Sequence, residues 1–260
     1  MPTSPGRFYF WQQRAAYVGP GQSASLHSHH AAQILIGLSS PIRVRTAADA
    51  DWQEHRGVLV QADQTHETDL AIGSVATIWL EPGSSEAQQL ATSRREPAVQ
   101  GISADQLAGI VPLLQECLDE QCDAARAEAS IAEVMGVLAL GEPDRLDPRV
   151  ERARELLGMA PGRRISWLEV AGKVALSVGR MAHLFKAQVG SSPRRYLLWL
   201  RLGDAIGELA KGKSIAVAAH SAGFSDAAHF TRTFRAMLGF TPSAALRSSK
   251  FVQDHSSATR

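Results

Sequence analysis

The sequence predicts an α+β chain: a small β-barrel or sandwich at the N-terminal end, a helical segment, and an all-α domain at the C-terminal end. Three observations carry that prediction. Residues 165–242 say nearly the same thing twice, residues 8–80 alternate short strand-like runs with turn clusters, and the charge changes sign between the two halves. The net charge over 260 residues is only +1, but residues 1–145 hold 9 Lys and Arg against 18 Asp and Glu, and residues 146–260 hold 18 against 8. A basic half joined to an acidic half points to nucleic acid as the basic half's partner, because neutralising phosphates drives such binding.

Composition excludes several classes. No run of 18 apolar residues occurs, so no membrane span is expected. Residues 1–20 lack a charged segment followed by an apolar one, so a cytoplasmic protein is expected. Cys117 and Cys122 lie five apart in a stretch that reads helical. On one helix they would point about 140° apart, which argues against a disulfide or a shared metal.

Taken in order, Phe8 to Tyr17 is aromatic-rich and begins as a strand. Further strand-like runs are Gln33 to Leu38, Ile42 to Thr46, Gly57 to Gln61 and Val75 to Leu80, separated by Ser39-Ser40-Pro41, Ala62-Asp63-Gln64 and Glu81-Pro82-Gly83. This spacing, without helical period, predicts the sandwich or barrel of residues 1–100. His27 and His29 alternate onto one face if their segment is extended, and His66 follows the strand and turn that begin at Gly57. This arrangement, over about residues 20–85, resembles the two histidine motifs of the cupin barrel, where such residues converge on a metal. Gln33 stands where metal-binding cupins carry a glutamate, and no proline-glycine turn precedes His66. Two readings stay open for His27, His29 and His66: ligands for a divalent metal such as zinc, nickel or iron, or an ordinary cluster at the mouth of a pocket for a small effector. No cofactor is required by the sequence.

From residue 101 the period becomes helical. Leu107, Ile110, Val111, Leu114 and Leu118 mark one helix, which Pro112 is expected to bend or interrupt. Ile131, Val134, Met135 and Leu138 mark a second over residues 129–140. These stripes of residues 101–141 either complete the first domain's core or serve dimerisation. Gly141 to Arg145 has turn residues and no apolar pattern, and so predicts a linker over residues 142–148, followed by a domain over 149–250.

The repeat begins after a helix from Pro148 to Gly158. Ala171, Ala175, Leu176 and Ser177 return 48 residues later as Ala219, Gly223, Phe224 and Ser225; Met181, Phe185, Gly190 and Pro193 return 49 later as Phe230, Phe234, Gly239 and Pro242. Each copy reads as a helix, a tight turn and a second helix opened by a serine N-cap, Ser177 or Ser225. That is a tandem helix-turn-helix, whose second helices enter the DNA major groove. Met181, Leu184 and Phe185 are expected inward on the first such helix, with Val178, Gly179, Ala182, His183 and Lys186 outward. On the second, Phe230, Phe234 and Leu238 are expected inward, with Ala227, Ala228, His229 and Arg232 outward; Arg232 can grip guanine or a phosphate. A long helix after Pro193, ending at Gly212, spaces the two units.

Leu176-Ser177, Met181, Phe185-Lys186, Gly190, Ser192-Pro193, Tyr196, Arg201-Leu202, Ala205, Ser214-Ile215, Ala219, Gly223-Phe224-Ser225, His229-Phe230, Phe234-Arg235 and Gly239-Phe240-Thr241-Pro242 together resemble the double helix-turn-helix domain of the AraC/XylS family of bacterial transcription regulators. The resemblance covers about residues 148–247. It implies seven helices, two adjacent major grooves of promoter DNA read from one face, and an N-terminal cupin-like domain that senses a small effector and dimerises; it leaves RNA polymerase open as a further partner. By position it implies DNA contacts at Ser177, Gly179, Ala182, His183, Lys186, Ser225, Ala228, His229 and Arg232. One departure is Ala245, where the family carries a tyrosine, so looser packing at the domain's end is expected. The competing reading is a metal-dependent cupin enzyme or metal sensor carrying a DNA-binding tail, although no nucleophile elbow or phosphate loop is present in the sequence.

Overall fold

The computed structural model describes residues 5–70, 73–93, 98–119, 122–138, 146–160 and 165–252. Among the described residues, eleven strands form two sheets. The larger holds β1 (Gly6–Phe10), β2 (Arg14–Pro20), β4 (Ala32–Gly37), β7 (Gly57–Val60), β9 (Ser74–Leu80), β10 (Val99–Gly101) and β11 (Ser249–Val252), in the order β10-β7-β4-β9-β2-β1-β11. The smaller is β3-β8-β5-β6, from β3 (Ala24–His27), β5 (Ile42–Arg45), β6 (Gln53–His55) and β8 (His66–Asp69). Alternation along each strand sorts the large sheet's side chains to two faces. Phe8, Leu35, Val58 and Trp79 face one core; Tyr9, Ile34, Leu59 and Ile78 face another. Both faces are buried, which is why these strands read as continuous apolar runs and not as alternating ones.

The outer face is covered by α1 (Ser85–Ser93), α2 (Ala104–Asp119) and α3 (Ala124–Val137), through Leu107, Ile110, Leu114, Ile131 and Val134. The helical stripes, left with two uses by the sequence, thus complete the first domain's core. Of the two outcomes expected at Pro112, a bend or an interruption, the interruption does not occur: α2 runs through Pro112 unbroken. Pro112 and Ala108 are both exposed, so water can take up the Ala108 carbonyl that lacks an amide partner. The second helix starts earlier than expected, because Asp123 caps it by accepting the Arg126 amide. Cys117 lies on α2 and Cys122 lies outside any helix, so the two do not share one; both are buried, near enough for their thiols to hydrogen-bond, and burial pushes the Cys122 thiol up to about 12. The angular argument that separated them therefore fails.

The C-terminal half contains α4 (Pro148–Met159), α5 (Trp167–Lys173), α6 (Val178–Val189), α7 (Pro193–Ala210), α8 (Ile215–Ser221), α9 (Ala227–Leu238) and α10 (Pro242–Ser248). The sequence repeat is a repeat of caps. Gly190 and Gly239 end α6 and α9 in the left-handed region at φ 73° and 90°, and Ser192-Pro193 and Thr241-Pro242 then open the next helices. Ser177 caps α6 by accepting the Arg180 amide. The α9 cap is Asp226 and not Ser225: its carboxylate accepts the His229 amide. The residue that lengthens the offset from 48 to 49 falls just before this cap, so the cap itself keeps the longer offset.

The two helix-turn-helix units differ in what they pack on. The first has its own core, built around Val150, Val170, Met181, Phe185 and Tyr196. The second shares one core with the inner face of the large sheet: Trp199, Ile206, Phe230 and Phe234 lie in the same cluster as Phe8, Leu35 and Trp79. Phe10 meets Trp199 at 5.1 Å between ring centroids, and Phe8 meets Phe234 at 6.4 Å and Phe240 at 6.0 Å. Of the expected linker, residues 142–148, residues 142–145 lie outside the described residues, and Asp147 and Pro148 already open α4 as its cap and first residue. The C-terminal boundary differs from expectation, because residues 249–252 leave the helical domain and pair as β11 with β1, in parallel, from Gly6↔Ser249 to Tyr9↔Val252.

Polar links cross the same junction. The Trp199 indole donates to the Gln12 carbonyl at 2.8 Å, the His30 amide to the Ala236 carbonyl at 2.9 Å, and Arg195 pairs with Asp63 at 3.2 Å. Glu81 is fully buried there; Oε1 accepts the Gly83 amide at 2.8 Å, while Oε2 has no partner among the described residues. Burial raises its carboxyl from 4.5 to about 8, against the opposing pull of the Arg154 cation.

Two predictions follow from this junction's geometry. A Cβ at Gly203 of α7 would lie 2.5 Å from the Phe10 ring. Gly203→Ala should therefore cost about 1–3 kcal/mol in urea unfolding, despite alanine's better helix propensity. Between 4.5 and about 8 the folded chain keeps the Glu81 proton that the unfolded chain has released, so this group's stabilisation falls as pH rises through that window. Glu81→Gln should melt higher than wild type above about pH 8, with the gap closing towards about pH 5. A pH-independent gap would contradict the assignment.

Candidate functional site

Two places combine exposed or convergent polar groups with a rigid support. One is the outward surface of α6 and α9. Ser177, Gly179, His183 and Lys186 are exposed on α6, and Ala182 is half-buried. Nothing lies within 4 Å of where a Gly179 Cβ would stand, so backbone is open to solvent at that point. The inward stripe is Met181, Phe185 and Val189, whereas Leu184, expected in it, is only half-buried. Arg180, not among the outward positions assigned from the sequence, is exposed in the first turn of α6. Its signal was available: the first turn of a helix has no preceding turn to cover it, so a cation there beside Gly179 is free to reach an anion.

On α9, Ser225, Ala228 and Arg232 are exposed, and Ala227 and His229 are half-buried. The His229 ring stands edge-on to Phe224 at 5.3 Å, and its Nδ1 lies 3.1 Å from the Ser225 hydroxyl. Nδ1 is thus engaged within the unit, and Arg232 is the exposed cation of the outward set. The α7 helix, 18 residues and about 27 Å long, joins the units and is anchored by Trp199 in the sheet's core. The two helix-turn-helix units are thus tied to the β-domain through α7.

The other place is a cavity of about 110 Å³ between the large sheet and the second helix-turn-helix. Phe8, Leu35 and Trp79 wall it from the sheet, and Leu238, Gly239 and Phe240 from the end of α9. Its polar edge carries Gln33, His27 and His66. Ala245, where looser packing was expected, also lines it; the residue is buried, and its carbonyl accepts the Ser249 hydroxyl at 2.7 Å, where the chain enters β11.

His27, His29 and His66 converge at this edge, though not by alternating along one strand. His27 is the last residue of β3 and stands opposite His66 in register, whereas His29 lies in the loop beyond. Ring centroids are 4.4 Å apart for His27 and His66, 5.1 Å for His29 and His66, and 5.4 Å for His27 and His29. Each Nδ1 meets a backbone carbonyl: Ser25 at 2.8 Å, Ala31 at 2.8 Å and Gln64 at 2.9 Å. A carbonyl only accepts, so Nδ1 carries the proton in all three rings. Burial lowers all three from the usual imidazole value, to about 4 for His29 and about 3 for His66. Each ring is therefore neutral near pH 7, with its Nε2 lone pair unprotonated. The carboxamide Oε1 of Gln33 lies 3.2 Å from His29 Nε2 and 3.1 Å from His66 Nε2.

Comparisons with known proteins agree with this architecture. Residues 170–248 match the family model of a helix-turn-helix domain. A transcriptional activator of Escherichia fergusonii, RhaS, is 37% identical over 79 residues, 30% of this chain and 28% of the relative. A Streptomyces lividans protein named as an AraC-like transcription regulator is 33% identical over 97 residues, 37% of this chain and 32% of the relative. The chain thus spans about a third of the length of these curated relatives. In fold, the chain is similar to apo ToxT of Vibrio cholerae, with TM-score 0.56 and 12% identity over 91% of this chain and 97% of that one; ToxT is also known bound to an unsaturated fatty acid. No helix among the described residues is long and apolar enough to cross a membrane.

The cap assignment gives a direct check. Asp226→Ala should lower the melting temperature more than Ser225→Ala, because only Asp226 satisfies a free amide at the start of α9. Equal losses would return the cap to Ser225.

Proposed function

We propose that this chain, whose C-terminal half is a double helix-turn-helix domain of the AraC type, is a transcription regulator that binds promoter DNA through α6 and α9 and answers to a small effector in its β-domain. The observation that carries the reading is the shared wall of the cavity: Phe8, Leu35 and Trp79 come from the sheet, and Leu238, Gly239 and Phe240 from the end of the second reading helix. A ligand there touches both halves at once. It shifts the chain between arrangements to the extent that it binds one better than the other. The apolar walls and polar edge fit a small, mostly apolar molecule with one polar end, a class to which the fatty acid bound by ToxT also belongs.

The matched relatives are named as transcription regulators, which supports this reading over the metal-dependent enzyme. The chain acts in this reading as a homodimer in the cytoplasm, without enzymatic turnover, with RNA polymerase as a further contact. Direct DNA contacts are assigned to Ser177, Gly179, Ala182, His183 and Lys186 in the first unit, with Arg180 added, and to Ser225, Ala228, His229 and Arg232 in the second.

Fluorescence anisotropy with DNA from upstream of the chain's own gene and an unrelated duplex, across a salt series, tests the proposal. Affinity for both should fall as salt rises, with the upstream duplex bound more tightly. Arg232→Ala should cost about 1–3 kcal/mol on the upstream duplex alone if it reads a base. An equal loss on both duplexes would make Arg232 a phosphate contact. Absence of binding to either at low salt would overturn the reading.

A further inference from the structure

The three histidines form a cluster of their own, two of whose rings, His27 and His66, also edge the cavity of the proposed function. We infer that His27, His29 and His66 hold one divalent transition-metal ion through their Nε2 atoms, with the Gln33 carboxamide oxygen as a fourth donor, directly against the end of α9. The inference stands on side-chain geometry alone and does not depend on DNA binding.

Four features support it. The candidate ligand atoms of the three rings lie within 4.8 Å of one another. Each Nδ1 is committed to a backbone carbonyl, the outer hydrogen bond that fixes the tautomer and aims Nε2 at a metal. His29 and His66 are 2% and 0% exposed, so unprotonated lone pairs face one another away from bulk water. With both Nε2 atoms unprotonated, the Gln33 oxygen confronts them acceptor to acceptor at 3.2 and 3.1 Å. A cation among these atoms turns every one of those contacts attractive.

The rival arrangement turns the Gln33 carboxamide so that its NH2 donates to His29 and His66. That satisfies two rings and leaves the His27 Nε2 without a partner among the described residues. Imidazole nitrogens with one neutral oxygen select zinc, nickel, cobalt, copper or iron over magnesium or calcium. The site also has a definite neighbour in the helical domain. A Cβ at Gly239, the α9 C-cap, would lie 2.7 Å from His27 Nε2 and 3.1 Å from the His29 ring, and the His30 amide already bonds the Ala236 carbonyl of α9. An ion gathered by these rings therefore sits beside the last turn of the second reading helix.

The test uses the full chain, stripped with chelator and titrated with Co2+, followed by visible absorption and by metal content after gel filtration. No DNA is present, so its failure is separate from failure of the regulatory reading. One Co2+ per chain, displaced by Zn2+, is the expected result. His27→Ala changes a half-buried ring and should weaken uptake by at least about tenfold, the loss that even an outer hydrogen-bond partner produces. Gln33→Glu should bind Co2+ more tightly than wild type, an effect of opposite sign that a folding defect does not imitate. Amide exchange over residues 236–240 should slow when metal is bound. The inference is overturned if the folded wild-type chain takes up no Co2+, if His27→Ala binds as well as wild type, or if Gln33→Glu binds no better. Metal binding with exchange at 236–240 unchanged would refute the placement against α9.

Discussion

The rest of the structure depends on one burial: the inner face of the seven-stranded sheet is closed by the second helix-turn-helix. Phe8, Leu35 and Trp79 would otherwise present a broad apolar surface to water, and Trp199, Phe230 and Phe234 complete it. At about 25 cal/mol per Å² of apolar surface, burying aromatic side chains of this size is worth several kcal/mol. Such a contact is not a passing one between domains. It makes the second reading unit part of the β-domain's core, while the first unit keeps a core of its own. The chain therefore has an internal asymmetry that its repeat conceals.

In the proposed function, that asymmetry decides where a signal enters. The cavity and the histidine cluster both lie where the sheet meets the end of α9, so anything bound there is felt first by the second unit. The first unit is reached through α7, whose N-terminal turns belong to one core and whose middle belongs to the other. Further ties reinforce the junction: β11 beside β1, Arg195 with Asp63, and the buried carboxyl of Glu81 near Arg154. A buried carboxyl with one unmatched oxygen costs stability.

Much of the C-terminal half was legible because its signals are local. A left-handed glycine followed by Ser-Pro or Thr-Pro marks a helix end and the next start wherever it occurs, and both copies carry it. The misread cap shows where local reading fails: Ser225 and Asp226 are both good caps, and only the backbone geometry decides between neighbours. The N-terminal half was harder. Its central strands are apolar on both faces, so alternation was absent, and β8, β10 and β11 are short and held by sheet partners far away in sequence. Pro112 and the cysteine pair misled for a related reason. Whether a helix survives a proline, or stops before a second cysteine, depends on what solvates or covers it.

By itself the sequence determined the repeat, the charge division, the Ser177 cap and the glycine ends of the C-terminal half, and the identity of the three histidines and Gln33. These follow from residue type and from spacing within a turn or two. Only the tertiary structure decided that the histidines meet at His27–His66 strand pairing and a loop, that Gln33 faces them, that Ala245 lies on a cavity, and that residues 249–252 return to the sheet. Those are juxtapositions of residues tens to hundreds of positions apart. Burial of the shared core is what brings them together, and no local preference encodes it.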